Sequence, residues 1–516
     1  MKRFLSVFII AVMVLSVMSS CGEQATEQPA VEDVTFPLSE PVTLTMFTLD
    51  DGTDKPFFKE LEKRTNVKIE FICPTSQATM ASEYTLMVQS GEITDIVRHN
   101  WFGYPGGTDK AVSDGVYINL APYIDRIMPN LKKKLDDNPA ARKIMTTPGG
   151  NMGYVGWVLD KNVEVRPSYL GPIIRQDFLD SVQKSAPVTM SDWYDTLTAF
   201  KKQLNVKNPL IMREALSSTD CFISAYGINS TVMVENGAVK MSLMEESARL
   251  YTTEMNKWVR EGLMNVNPEL AEKDFSSNDN GSWIHGFYMF ENWKKAASSP
   301  AYRAVGVPYP VLKSGDSIEL CGELGGANLM AGSIDSGGYS VAKSCKNPAV
   351  AAKWLDYLYS PEGILLASYG VEGDTFTYDA DNKPQFTDKV LKYEKGFASA
   401  IGDLMYKYSP AWDSWSEVKG YTADEQEAMT KQWKNAKNTK GYPTFSSMQN
   451  FMTEEELTVI ETPVYLYLID SVNKMVTGEL PLSYWDEMIQ QAKVQGSEEQ
   501  LKVYQSAYDK YQKSIS

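Results

Sequence analysis

The stretch VTLTMF at residues 42–47 alternates apolar and polar side chains as a half-buried strand does. A regular order runs outward from it. Pro56 opens a segment in which Phe57, Phe58 and Leu61 share one helical face. Val67, Ile69 and Phe71 then alternate with Lys68 and Glu70 and give a second strand. Met80, Tyr84, Met87 and Val88 recur at helical spacing, and Gly91 supplies the stop. Asp95-Ile96-Val97 begins a third strand. Strand, helix, strand, helix, strand predicts a parallel, doubly wound sheet. Ligands of such sheets sit beyond the carboxyl ends of the strands, which points to residues 98–104.

A second α/β pattern starts near Val158. Ile173 and Ile174 close a strand, Asp177 to Val182 starts a helix, and Pro187 to Ser191 makes a turn. The helix from Asp192 to Gln203 turns Trp193, Leu197 and Phe200 inward, and Glu246 to Glu261 forms another with Leu250, Met255, Trp258 and Val259. Asn347 caps a later helix, Pro348 fills its first turn, and Val350, Trp354, Leu355 and Leu358 form its apolar stripe. From about Thr375 the chain reads as mainly helical and irregular, and no repeat of solenoid period occurs.

Upstream, Lys2 and Arg3 precede an apolar run from Phe4 to Met18, then Ser19, Ser20 and Cys21. The run is too short for a mature transmembrane helix, and small residues before a cysteine suit a lipoprotein processing peptidase. Met18 stands where such signals usually carry Leu. Lipid on Cys21 would hold the other residues at the outer face of the cytoplasmic membrane; an uncleaved anchor is the competing reading. Residues 22–40 are rich in Glu, Gln, Thr, Pro and Ala and read as a flexible spacer, with order starting near Val42.

The chain has 516 residues, too many for one ordinary core, so two lobes are expected. A formal net charge of -16 opposes binding to phosphate backbones and anionic lipid. Cys73, Cys221, Cys321 and Cys345 are scattered without C-x-x-C or paired histidines, which argues against a metal site. Spacing cannot reveal disulfides; buried free thiols are the preferred reading. There is no G-x-S-x-G, H-E-x-x-H or G-x-x-x-x-G-K-[ST], and the two histidines, His99 and His285, are far apart.

Four segments carry a family resemblance: EYTLMVQSGEITDIV (83–97) continuing through SDGVYINLAPYID, IIRQDFLDSVQKSAPVTMSDWYDTLTAFK (173–201), SAYGINSTVMVENGAVKMSLMEESARLYTTEMNKWVREGLMN (224–265) and NPAVAAKWLDYLYSPEGILLASYGVEGDTFTYDADNKPQFTD (347–388). In this order the chain resembles the extracellular solute-binding proteins (family 1 type) of carbohydrate ABC importers, in their lipoprotein form. Phe178 stands where the family usually has Trp. The resemblance implies a two-lobed, type II periplasmic-binding-protein-like α/β fold. Each lobe would be a mainly parallel sheet flanked by helices, with an extended helical C-terminal part. Three crossings are expected, near 154–157, 285–288 and 337–340. The expected organisation is a lipoprotein signal peptide (1–20), a flexible tether (21–40), lobe 1 (41–155), lobe 2 (156–287), a return to lobe 1 (288–338), and lobe 2 again with a C-terminal extension (339–516). The implied function is capture of an oligosaccharide between the lobes and delivery to a membrane permease. No catalysis, cofactor or nucleic-acid partner is expected, and the protein is expected to be a monomer.

A sugar offers apolar C–H faces to aromatic planes and hydroxyl edges to polar groups. His99, Asn100 and Trp101 follow the third strand. Trp157 lies in the first expected crossing. Trp293 stands beside Glu291, with Trp283 on the other side of the second crossing, and Trp412, Asp413 and Trp415 follow Pro410. Trp101 and Trp293 belong to no helical stripe and are the leading candidates, whereas Trp193, Trp258 and Trp354 read as core. Arg175 and Asp177 read as a structural ion pair. Glu372, in the turn 369–373, reads as structural ahead of ligand-binding. A surface glycoside hydrolase or polysaccharide lyase, or a receptor for peptides or another small solute, are the alternatives, because paired glycosidase carboxylates leave no signature.

Overall fold

The computed structural model describes residues 31–99, 104, 107–147, 149–158, 170–216, 221–267, 275–319, 338–413, 415–435, 440, 442 and 448–515. The opening stretch forms β1 (Val42–Phe47), with β2 (Val67–Ile72) and β3 (Ile96–His99) parallel to it on either side. Helices Pro56–Thr65 and Met80–Ser90 connect them, as the periodicity predicts. The first ends on Asn66 and the second on Gly91, both in the left-handed region that stops a helix.

The second lobe begins with β4 (Leu170–Arg175) and β5 (Asn208–Met212). Between them the helix Met190–Leu204 starts at a reciprocal cap: Thr189 Oγ1 accepts from the Asp192 N–H, and Asp192 accepts from the Thr189 N–H. A hairpin follows, β6 (Val232–Glu235) with β7 (Ala238–Met241), then β8 (Met264–Val266), β9 (Asn280–Gly286) and β10 (Ala304–Gly306). The five-stranded sheet has the order β10-β4-β9-β5-β8. Here β9, β5 and β8 are parallel, while β4 is antiparallel to both its neighbours. After it, β11 (Gly338–Val341) joins the first sheet antiparallel to β3, giving the order β11-β3-β1-β2. A small hairpin, β12 (Phe376–Tyr378) with β13 (Pro384–Phe386), and helices complete the chain.

These pairings correct the expected lobe boundaries. The segment from 288 does not return to lobe 1: Phe290 and Trp293 pack in the second core, and β10 hydrogen-bonds to β4. The return comes at Gly338. Residues 338–412 then belong to the first lobe, because Trp354, Leu355, Ile401, Tyr406 and Trp412 share a core with Leu44, Phe57 and Ile96. Only beyond residue 414 does the chain rejoin the second core, through Met429, Trp433, Leu468 and Tyr504. A three-residue strand such as β10 has no readable period, so its partner could not be inferred.

Residues 31–40, expected within the flexible tether, are packed on the first lobe. Val31 is buried against the first core, Val34, Phe36 and Leu38 pack on it, and the Leu38 N–H donates to Thr65 O at 3.0 Å. Four apolar residues give this stretch enough surface to dock. Residues 1–30, including Cys21, lie outside the described residues. No helix among the described residues is long and apolar enough to cross a membrane. Cys221 and Cys345 are buried and Cys73 is exposed, with Cys73 and Cys345 free thiols; Cys321 lies outside the described residues.

Candidate ligand cleft between the lobes

Strand direction locates the cleft. Val155, on the first crossing, exchanges backbone hydrogen bonds with Tyr339 at 2.7 and 2.8 Å, and Tyr339 is the register partner of Arg98 on β3. Leu170, where the chain reaches the second lobe, is the register partner of Gly286 at the end of β9. The crossing from 158 to 170 therefore links the carboxyl end of β3 to the carboxyl end of β9. Both sheets turn the carboxyl ends of their parallel strands toward the seam between lobes, the edge where α/β sheets hold ligands.

On the first-lobe side, Arg98 is 1% exposed and its guanidinium lies over the Tyr408 ring, 4.2 Å from the centroid. Among the described residues, its Nε and Nη1 have no hydrogen-bond partner. Tyr339 donates to Tyr408 O at 2.8 Å, so the 2.7 Å contact with Tyr406 must be made by the Tyr406 proton. Burial pushes the Tyr406 and Tyr339 phenols up, which keeps both neutral donors. Asp50, following β1, is paired with Lys55 at 2.6 Å, and Lys55 also donates to Gly402 O. Sequence reading pointed to the stretch 98–104 that Arg98 opens but did not single out Arg98, and it missed Tyr408; a charged residue ending an apolar strand was the available signal.

On the second-lobe side, the end of β9 carries an aromatic cluster. Trp283 and Trp293 have centroids 5.3 Å apart, His285 sits 4.4 Å from Trp283, and Phe275 and Phe290 close the cluster. Burial lowers the His285 pKa below its ordinary value, although Nδ1 faces Gly286 O at 3.2 Å. Tyr288, 38% exposed, edges onto His285 at 5.5 Å.

The structure sorts the expected site residues. Asn100 and Trp101 lie outside the described residues, as do the side chains of His99 and Trp415. Trp293 and Trp283 are brought together but are only 6% and 5% exposed, so they are packed cluster members rather than open platforms. Glu291 is half-buried on the same short helix as Trp293. Trp157 and Trp412 are buried on the first and third crossings, which touch where the Val158 N–H donates to Pro410 O. Asp413 is half-buried and its backbone N–H donates to Ser368 Oγ. Arg175 and Asp177 form the expected ion pair, away from the cleft at the opposite end of β4. Among the described residues, no three His, Cys, Asp or Glu side chains are grouped to hold a metal ion.

Two lobes joined by three crossings, each with one antiparallel strand in an otherwise parallel sheet, at the edge of the first and within the second, define the type II fold of periplasmic solute-binding proteins. Over its length the chain is similar to the fructooligosaccharide ABC transporter substrate-binding protein FusA of Streptococcus pneumoniae serotype 4, with 24% identity covering 99% of both chains. Among solved structures it is similar to the alginate-binding protein AlgQ2, with a TM-score of 0.72, 22% identity, and 93% of this chain and 100% of that one covered. It is also similar to FusA of S. pneumoniae in complex with kestose, with a TM-score of 0.69, 21% identity, and 91% and 99% covered. A milk-oligosaccharide (HMO)-binding solute-binding protein of Bifidobacterium longum infantis gives a TM-score of 0.69 at 18% identity, with 92% and 99% covered. These relatives are substrate-binding proteins, not enzymes. No family model matches the chain.

Proposed function

We propose that this protein captures an oligosaccharide between its two lobes and delivers it to the permease of an ABC importer, outside the cytoplasmic membrane. The observation that carries this reading is the end-to-end similarity to a fructooligosaccharide-binding protein, in a fold whose two sheets aim their strand ends at one seam. The residues that would meet sugar are Trp101 with His99 and Asn100 on the first lobe, and Tyr288 with His285 on the second. Trp157, Trp412, Asp413 and Trp415 lie on or beside the crossings between them. Cys21 would carry the lipid that tethers a monomeric receptor to the membrane.

A thermal-shift screen tests the binding claim, since a ligand that prefers the folded state raises the melting temperature. Kestose, alginate oligomers and milk oligosaccharides are the first panel. At least one class should raise the transition, with one-to-one stoichiometry by calorimetry and no new reducing ends on incubation. Indifference to every class, or release of reducing ends, would defeat the proposal. For the anchor, Cys21→Ala should release the protein from the membrane fraction or leave its signal uncut. A mature N-terminus beyond residue 21 without lipid would count against it.

A further inference from the structure

The C-terminal helix Ser497–Ile515 is anchored in the second lobe along its first half. Tyr504 belongs to that lobe's core, Gln505 accepts from the Val239 N–H of β7, and Gln500 donates to Val459 O and Thr462 O. Its last turns leave that core. Ala507 and Tyr511 instead pack with Met448, Phe451 and Ile144 in a separate apolar cluster in which every member is at most 7% exposed. Ile144 lies on the helix Pro139–Met145 of the first lobe. The cluster therefore straddles the seam.

Two further contacts lie alongside it. Lys110, on the helix Gly107–Ser113 that follows β3 in the chain, pairs with Glu454 at 3.5 Å. A Cβ built on Gly107 would stand 3.9 Å from Gln449 O and from Leu457. Glu456 is fixed to the C-terminal helix through Lys510 and Ser506, both at 2.9 Å, so segment and helix move as one piece. The ion pair is exposed and contributes little; the buried cluster supplies the adhesion.

We propose that the C-terminal extension is an inter-lobe clasp that limits how far the lobes separate before ligand arrives. Lobe closure is a population shift, and a contact made only while the lobes are near one another biases it. Its attachment to the helix following β3 ties the clasp to the stretch proposed to meet sugar.

The test uses the full exported chain without ligand, so its outcome does not depend on which sugar is bound. Ile144→Ser and Tyr511→Ser attack the cluster from opposite lobes. Each should increase the radius of gyration in small-angle scattering and raise amide exchange in the helix 139–145, while exchange in both sheets stays at the parent level. If one variant fails to fold, the other carries the test, and Tyr511 in a terminal turn is the safer site. An unchanged radius in a folded variant overturns the clasp. So does loosening that spreads through both sheets, which would make the cluster ordinary core.

Discussion

Tyr339 is bonded to Val155 through its backbone and to Tyr408 through its hydroxyl. One residue at the start of β11 thus ties the first and third crossings to the point where the second crossing ends. Tyr339→Phe keeps the ring but leaves the Tyr406 proton and the Tyr408 carbonyl without this partner. The expected loss is about 1–3 kcal/mol of stability, read from urea unfolding, because buried groups are left unpaired. A neutral substitution would show that the crossings do not depend on this hydroxyl.

Arg175 is fully buried, held by two bonds to Asp177 at 2.8 and 2.6 Å and sandwiched between the Phe178 and Tyr302 rings. Asp177→Ala strands a buried cation and should cost about 3–5 kcal/mol. The double change Arg175→Met with Asp177→Ala removes both charges and should cost clearly less. Chemical denaturation of the two variants checks the order; equal costs would refute the electrostatic account.

Trp293 and Trp101 should now separate. Trp293→Ala opens a hole among Trp283, Phe275 and Phe290 and should lower stability by about 3–5 kcal/mol. Trp101→Ala should leave the melting temperature near the parent's and weaken sugar binding roughly tenfold, the value of one stacking plane. Calorimetry with whichever sugar the thermal screen identifies measures the second effect.

His285 gives a pH signature. Burial lowers its folded-state pKa below the ordinary 6.5, so the unfolded chain takes up the proton more readily. Its neutral state supports the fold above that value, and stability drains away as pH falls through about 6.5 toward the lower folded-state pKa. His285→Phe keeps a ring in the cluster and removes the titration. Melting temperatures of parent and variant, compared between about pH 7 and pH 5, should diverge in the variant's favour as pH drops. Asp356, whose pKa burial raises, tilts stability the other way but does so equally in both proteins. Parallel curves would show that the ring is hydrated.

What the sequence discloses depends on periodicity. The order from Val42 to Val97 was readable because its strands and helices each keep a period against one face. Trp193, Trp258 and Trp354 were readable as core for the same reason, and all three are fully buried. Trp293 was misread because an aromatic beside Glu291 looks alike whether it lines a cleft or closes an internal cluster; the deciding neighbour, Phe275, arrives from another loop. Likewise β10 joins β4 across more than a hundred residues, a separation no local pattern encodes.

Trp433 shows how late this chain must be finished. Its indole lies against Gly171, where a Cβ would overlap it, and stands 3.3 Å from where a Cβ on Gly306 would sit, and its Nε1 donates to Pro172 O at 3.3 Å. The face of β4 is thus completed by a residue that emerges long after β4 itself. The first core likewise waits for Trp412, and the second for Tyr504. During synthesis neither lobe can complete its native interior until most of the polypeptide is available. A chain built in interleaved halves completes its native packing late, by its connectivity alone.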